Sequence, residues 1–286
     1  MNEALEIRDL SKSFKDFSLK DIGFSLPKGY IMGLIGPNGA GKSTIIKLIL
    51  NMLKRQSGEI KVFGLDNIAC EEQIKEQVGV VFDQPYYLDE WSLNNVESAV
   101  RLFYSNWDSS KFRKYLKEFD LNPSKKVKDL SRGMKMKLMI SVALSHDAKL
   151  LILDEPTSGL DPVARDELTD MLLSYISSGD RSVLFSTHIT SDLEKIADYI
   201  TFINKGRTVF TGTKDQLMEC YCIIKGGKND ITLEQKKKIL GLREHGTGFE
   251  GLIERKNLKE FTGNIIIEPC TLDDIVVFIN KERINI

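Results

Sequence analysis

The stretch Gly36-Pro37-Asn38-Gly39-Ala40-Gly41-Lys42-Ser43-Thr44 constrains this chain more than any other. It fits the pattern G-x-x-x-x-G-K-[ST], a backbone loop that wraps a phosphate. Its flanks supply the context the pattern needs. Tyr30-Ile31-Met32-Gly33-Leu34-Ile35 is an apolar run of strand length, and Ile45, Ile46, Leu48, Ile49, Met52 and Leu53 recur at helical spacing. A strand that turns sharply into a helix leaves unpaired N–H groups aimed at one spot, with the helix dipole behind them. Gly36, Gly39 and Gly41 let the backbone curl where a Cβ would collide or forbid the dihedral. Lys42 offers mobile positive charge for β- and γ-phosphates, and the Ser43 hydroxyl suits Mg²⁺. The sequence predicts a nucleoside triphosphate site.

Composition narrows the class. The 286 residues are 42% apolar and 28% charged, as expected of a soluble globular protein with one large or two unequal domains. Lys plus Arg total 40 against 41 Asp plus Glu, so no basic stripe for nucleic acid is expected. No apolar run reaches the length of a bilayer crossing, and Met1-Asn2-Glu3-Ala4-Leu5-Glu6 lacks the regions of a signal peptide. The protein is therefore expected to stay in the cytosol. Of the cysteines Cys70, Cys220, Cys222 and Cys270, only Cys220 and Cys222 are close, and no histidine is near them. They are read as two reduced side chains on one face of a strand rather than a zinc site.

Along the chain, Leu5–Leu10 and Ile22–Leu26 alternate as short strands, and Pro27-Lys28-Gly29 turns into the phosphate-loop strand. Glu59–Val62 and Val78–Phe82 are further strands. From about 93 to 147 the spacing becomes helical. Leu151-Ile152-Leu153 and Val183-Leu184-Phe185 are continuous apolar runs suited to strands buried on both faces, with Tyr199–Ile203 a looser example. Buried strands alternating with helices predict an α/β core: a mainly parallel sheet covered on both sides, with an N-terminal antiparallel β subdomain and a helical insertion. Beyond residue 212 the pattern weakens. Residues 213–286 are expected to form a small C-terminal α+β appendage, with helices at Thr232–Leu240 and Thr271–Lys281 and a strand at Asn264–Glu268. Lys236-Lys237-Lys238 is expected on a solvated helix face.

A phosphate loop needs a second carboxylate for Mg²⁺ and a group to handle the attacking water. Lys149-Leu150-Leu151-Ile152-Leu153-Asp154-Glu155 places two acids at the carboxyl end of an apolar strand, where ligands of such folds bind. Asp154 is the candidate for the metal or its water, and Glu155 for polarising the nucleophile.

Asp154-Glu155-Pro156-Thr157-Ser158-Gly159-Leu160-Asp161-Pro162 closely resembles the second nucleotide motif and D-loop of the ATP-binding-cassette ATPases. Other family elements follow in order over about residues 3–212. Gln84 matches the Q-loop glutamine, a metal-sensing position. Leu130-Ser131-Arg132-Gly133-Met134 stands where the signature L-S-G-G-Q belongs. His188 matches the switch histidine, and Phe14 takes the place of the adenine-stacking aromatic, with Phe17 as competitor. The resemblance implies an ATPase with Mg²⁺, in which two cassettes close head to tail over ATP. Ser131, Gly133 and Asp161 would then act at the partner's nucleotide, Glu155 as general base, and His188 on the γ-phosphate. Gln84 would carry closure to the insertion.

Arg132 and Met134 depart from the signature. Arg132 either adds charge beside a phosphate or lies outward. The string Leu130-Ser131-Arg132-Gly133-Met134-Lys135-Met136-Lys137 is similar to a bacterial subgroup associated with export of peptides, antibiotics or amphipathic toxins. Its members pair with separate multi-span membrane subunits at the cytoplasmic side of the cell membrane. Tyr86-Tyr87-Leu88 either lines the groove for that subunit or packs within the insertion. The pair of cassettes is open between homodimer and heterodimer. The appendage is open between dimer contact and regulation. A soluble mechanical ATPase of DNA repair or translation is the alternative reading.

Overall fold

The computed structural model describes residues 3–261 and 263–282. Strands β1 (Glu3–Ser13) and β2 (Ser18–Pro27) form a hairpin, and β3 (Ile31–Ile35) leads through the phosphate loop into α1 (Lys42–Ile49). Next come β4 (Ser57–Val62), β5 (Leu65–Asp66), α2 (Glu71–Lys75) and β6 (Val78–Val81). The insertion holds α3 (Leu93–Val100), α4 (Ser109–Glu118) and α5 (Arg132–Ser145). The chain returns with β7 (Leu150–Asp154), α6 (Pro162–Ile176), β8 (Ser182–Thr187), α7 (Thr190–Ile196), β9 (Tyr199–Asn204) and β10 (Arg207–Thr213). It ends in α8 (Lys214–Cys220), β11 (Tyr221–Gly227), α9 (Leu233–Lys236), β12 (Leu240–Glu244), β13 (Gly248–Glu254), β14 (Ile265–Glu268) and α10 (Leu272–Glu282).

The central sheet runs β10-β9-β3-β8-β7-β6, with every pair parallel except β10 on β9. Strands β3, β7 and β8 are buried at every position, so alternate side chains serve two different cores. Met32, Leu34, Ile152 and Leu184 pack toward α1 and the antiparallel sheet β2-β1-β4-β5. Ile31, Ile35, Leu151, Leu153 and Phe185 face α5, α6 and α7. The phosphate loop and the Asp154-Glu155 pair thus leave the ends of β3 and β7 on one edge of the sheet, on either side of the β8 end that leads to His188.

Helix α5 joins two cores. Leu138 and Val142 belong to the insertion's own cluster with Leu93, Phe112 and Leu116. Met136, Ile140 and Ala143 belong to the main core. A rigid helix seated in both carries its N-terminal residues, Ser131 to Gly133, with the insertion.

The C-terminal sheet runs β12-β13-β11-β14, antiparallel throughout. Helix α10 seals it against the cassette: Leu272, Ile275 and Ile279 share the main core. At its start, the Leu272 N–H donates to Glu194 of α7 (2.9 Å) and the Thr190 hydroxyl donates to Asp273 (3.2 Å). The helix expected at Thr232–Leu240 is a single turn, α9. Its Thr232–Gln235 capping box forms as the residues suggest, but Ile239 is drawn into the C-terminal cluster and Leu240 begins a strand. Lys237 and Lys238 therefore lie beyond the helix. Cys220 and Cys222 also part company: Cys220 ends α8 exposed, and Cys222 is buried in β11. Among the described residues no helix is long and apolar enough to cross a membrane.

Candidate functional site

The phosphate loop is held from inside and outside. The Lys42 ammonium, 5% exposed, donates to the carbonyls of Gly36 (2.8 Å) and Pro37 (3.3 Å). The Ala40 N–H donates to Pro37 (3.1 Å), and the Ala40 carbonyl accepts from Gly206 (3.1 Å). Gly41 precedes α1 at φ +112°, and a Cβ there would sit 2.6 Å from Leu19 and 2.9 Å from the Phe17 ring. Above the loop is a cavity of about 550 Å³, lined by Asn38, Gly39, Gly41, Lys42, Ser43 and Thr44 with Glu155, Asp16 and Phe17.

The two acids divide as their strand predicts. Asp154 is buried at the end of β7, and its Oδ1 accepts from the hydroxyls of Ser43 (3.1 Å) and Ser186 (3.1 Å). Burial pushes its carboxyl above the ordinary value; the two hydroxyls oppose that shift and the Glu155 charge adds to it. All donors here are oxygens, which suits a hard cation. Among the described residues no cluster of His, Cys, Asp or Glu forms a complete metal cage. A Mg²⁺ held by few protein oxygens and completed by phosphates fits such a site.

Because its folded pKa lies above the unfolded one, the Asp154 charge detracts from stability above the unfolded pKa. That loss disappears as pH falls through the folded value. Asp154→Asn, which keeps an acceptor for both hydroxyls, is expected to melt higher than wild type at neutral pH while losing Mg²⁺-dependent turnover. Thermal melts beside an ATPase assay check this; a lower melting point would contradict the burial argument.

Glu155 bridges the site. Its Oε1 lies 3.2 Å from the Lys42 ammonium, and its Oε2 accepts from His188 Nδ1 at 2.6 Å. The backbone is unusual, with φ +52° for a residue with a Cβ. That conformation costs about 1–2 kcal/mol, and the Glu155 N–H to Ser186 carbonyl bond (2.9 Å) helps hold it. A carboxylate has no proton to give, so His188 Nδ1 carries the hydrogen and Nε2 is left as the variable position.

The remaining predicted residues lie apart from this cavity. Gln84, Ser131 and Asp161 are exposed and Gly133 half-buried, and none of them lines it. Ser131 caps α5 by accepting from Met134 N–H (3.2 Å), and Asp161 caps α6 by accepting from Val163 and Ala164 (3.0 and 3.1 Å). Phe17 is the aromatic that walls the cavity. Phe14, 41% exposed, stacks on it with centroids 6.4 Å apart. Sequence reasoning missed Asp16 and Ser186. Ser186 lies in β8 two residues before His188, which follows the strand, and that spacing was its available signal.

Comparison with known proteins extends this geometry. The family model described as ABC transporter matches residues 19–158. The chain is 35% identical over 208 residues to the lantibiotic transport ATP-binding protein SrtF of Streptococcus pyogenes, covering 72% of this chain and 89% of that one. It is 28% identical over 283 residues to the ABC transporter ATP-binding protein YtrB of Bacillus subtilis, covering 96% and 97%. That second match runs through the C-terminal sheet. A solved ATP-binding subunit of an ABC transporter superposes with TM-score 0.68 at 31% identity, over 75% of this chain and 91% of that one.

Proposed function

The chain belongs to the ATP-binding-cassette transporter family, as an ATP-binding subunit with ATPase activity coupled to transport, and on that premise we propose that it drives export through a separate multi-span membrane subunit. The observation that carries the catalytic part is Glu155, one carboxylate held between Lys42 and His188 beside the Asp154–Ser43 pair. Lys42 and the loop N–H groups of residues 38–44 bind the β- and γ-phosphates. Ser43 and Asp154, with Gln84 from its loop, would hold Mg²⁺, which would supply positive charge to offset that of the phosphates. Glu155 exchanges its Lys42 contact for the attacking water as the γ-phosphate takes the ammonium. His188 then keeps the phosphate and water in line. With Nδ1 protonated toward Glu155, its Nε2 donates to a phosphate oxygen only in the imidazolium form.

Ser131, Gly133 and Asp161 act across a dimer. Their absence from this chain's own cavity supports the reading: Ser131 and Asp161 stand exposed at helix starts and half-buried Gly133 lies in the first turn of α5, where helix N-termini can face a second copy's γ-phosphate. Phe17, with Phe14 stacked outside it, offers the face for adenine. The membrane subunit seats a helix in an apolar groove of about 400 Å³ between β6 and the insertion, walled by Val80, Phe82, Tyr86, Tyr87, Phe103 and Met139. Tyr86 and Phe103 are about three-quarters exposed there, more than packing of the insertion needs. The cytoplasmic face of the cell membrane is the location this requires. The cargo we infer is a peptide, antibiotic or amphipathic toxin, supported by the Leu130–Lys137 string and by the likeness to the lantibiotic transport protein SrtF.

The test is affinity purification from detergent-solubilised membranes of the native cell. A co-purifying polypeptide with several apolar spans is the expected result. Recovery of soluble partners alone, with the chain absent from membranes, would sink the exporter reading.

A further inference from the structure

Arg132 occupies a glycine position of the signature, and its side chain is engaged within its own chain. The guanidinium Nη2 forms an ion pair with Asp83. The same side chain lies over Gly159, where a Cβ would fall 2.7 Å from Nη1 and 3.2 Å from Cδ. Gly159 is also at φ +71°, a dihedral that glycine adopts without strain, and a Cβ there would push the end of the Arg132 side chain aside.

Three functional segments meet at this side chain. Asp83 directly precedes Gln84, and the neighbouring Phe82 and Tyr86 wall the groove assigned above to the membrane subunit. Gly159 lies between Glu155 and Asp161. Arg132 itself opens α5, between Ser131 and Gly133. Arg132 and Asp83 are 39% and 50% exposed, so their pairing contributes little to stability. Its consequence is geometric: Leu130 and Met134 seat the first turn of α5 in the insertion's own core, and Arg132 links that turn to the Asp83–Tyr86 loop, so displacement of the loop pulls on it.

We propose that Arg132 is a positioning residue that ties the signature segment to the membrane-subunit groove within one chain, rather than a ligand of a partner's phosphate. The proposal rests on the dimer reading above. It goes further in assigning the departure from the signature a specific mechanical link, from Asp83 through Arg132 to Gly159.

The test uses the full chain carrying Asp83→Ala, Arg132→Ala, both together, and the exchanged pair Asp83→Arg/Arg132→Asp. Hydrogen exchange over residues 131–137 needs no turnover and is read first. Asp83→Ala is expected to raise exchange there by about two- to fivefold, as loss of an exposed ion pair of ordinary strength allows. In ATP turnover, each single alanine variant is expected to lower kcat by about tenfold with KM unchanged. The double alanine variant should fall no lower than either single, and the exchanged pair should recover most of the loss. A phosphate ligand gives another pattern: Arg132→Ala alone loses turnover, Asp83→Ala matches wild type, and the exchanged pair stays inactive. That pattern, or unchanged exchange at 131–137 in Asp83→Ala, overturns the proposal. Failure of the catalytic reading is seen separately, as equal turnover by wild type and Glu155→Gln, and the exchange measurement still decides the link.

Discussion

Glu155→Gln is expected to lower ATP turnover by about 10²–10⁴-fold while ATP binding survives. The range is that of a positioned general base, about 3–5 kcal/mol of barrier. Glutamine keeps the length of the side chain and an acceptor for His188 Nδ1, so the 2.6 Å contact can be remade. What it cannot do is take a proton from water. It also removes the negative charge 3.2 Å from the Lys42 ammonium, leaving that ammonium free for the γ-phosphate. ATP affinity is therefore expected to equal or exceed that of wild type, and an ATP-bound dimer should accumulate because its tie is not cut. Turnover, nucleotide titration and size-exclusion with ATP and Mg²⁺ read the three effects. Undiminished turnover would move the base elsewhere, and His188 would be the remaining candidate. Lost binding together with lost turnover would mean that the αL backbone at residue 155, not its carboxylate, is what the site depends on.

The parts of this protein that sequence reasoning reached share a property: their constraint is local. The phosphate loop, the apolar runs of β3, β7 and β8, and the Asp154-Glu155 step are each written in consecutive residues. Strand burial on both faces requires unbroken apolar runs whatever else the chain does. The C-terminal unit is different. Strand β11 packs Cys222 and Ile224 to one side and stays paired through Lys225-Gly226-Gly227, where the glycines carry no strand signal. At 232–240 the capping signal is correct, yet Gly241 approaches the backbone of Phe278 so closely that a Cβ would lie 2.5 Å from its carbonyl. Residues 240–244 pair with β13 and lie against α10, more than thirty residues later, so they are strand and not a continuation of the helix. The Arg132–Asp83 pair and the placement of Phe17 against Gly41 were illegible for the same reason. Spacing along the chain carries no record of which side chains a folded insertion brings together.

The glycines of the phosphate loop share one motif but answer to different constraints, and Gly36→Ala separates them. At Gly36, φ is +153°, and a Cβ would stand 2.1 Å from the carbonyl oxygen of Ile203 and 3.3 Å from the Ala40 Cβ. Ile203 belongs to β9, which pairs with β3 beside Ile35, so neither backbone can yield without parting the two strands. At Gly39, φ is +78°, but a Cβ would meet no protein atom within 4 Å. Alanine there is expected to cost only the dihedral, about 1–2 kcal/mol. Alanine at 36 adds overpacking to strain and is expected to cost about 3 kcal/mol or more. It also displaces the Gly36 carbonyl that anchors Lys42 at 2.8 Å, so ATP affinity should fall well beyond the loss at Gly39. Urea unfolding and nucleotide titration of the two variants side by side make the comparison. Equal unfolding midpoints would mean that the approach of Gly36 to β9 relaxes freely. The loop would then be a flexible cradle that ATP orders, not a preformed one held rigid by the sheet behind it.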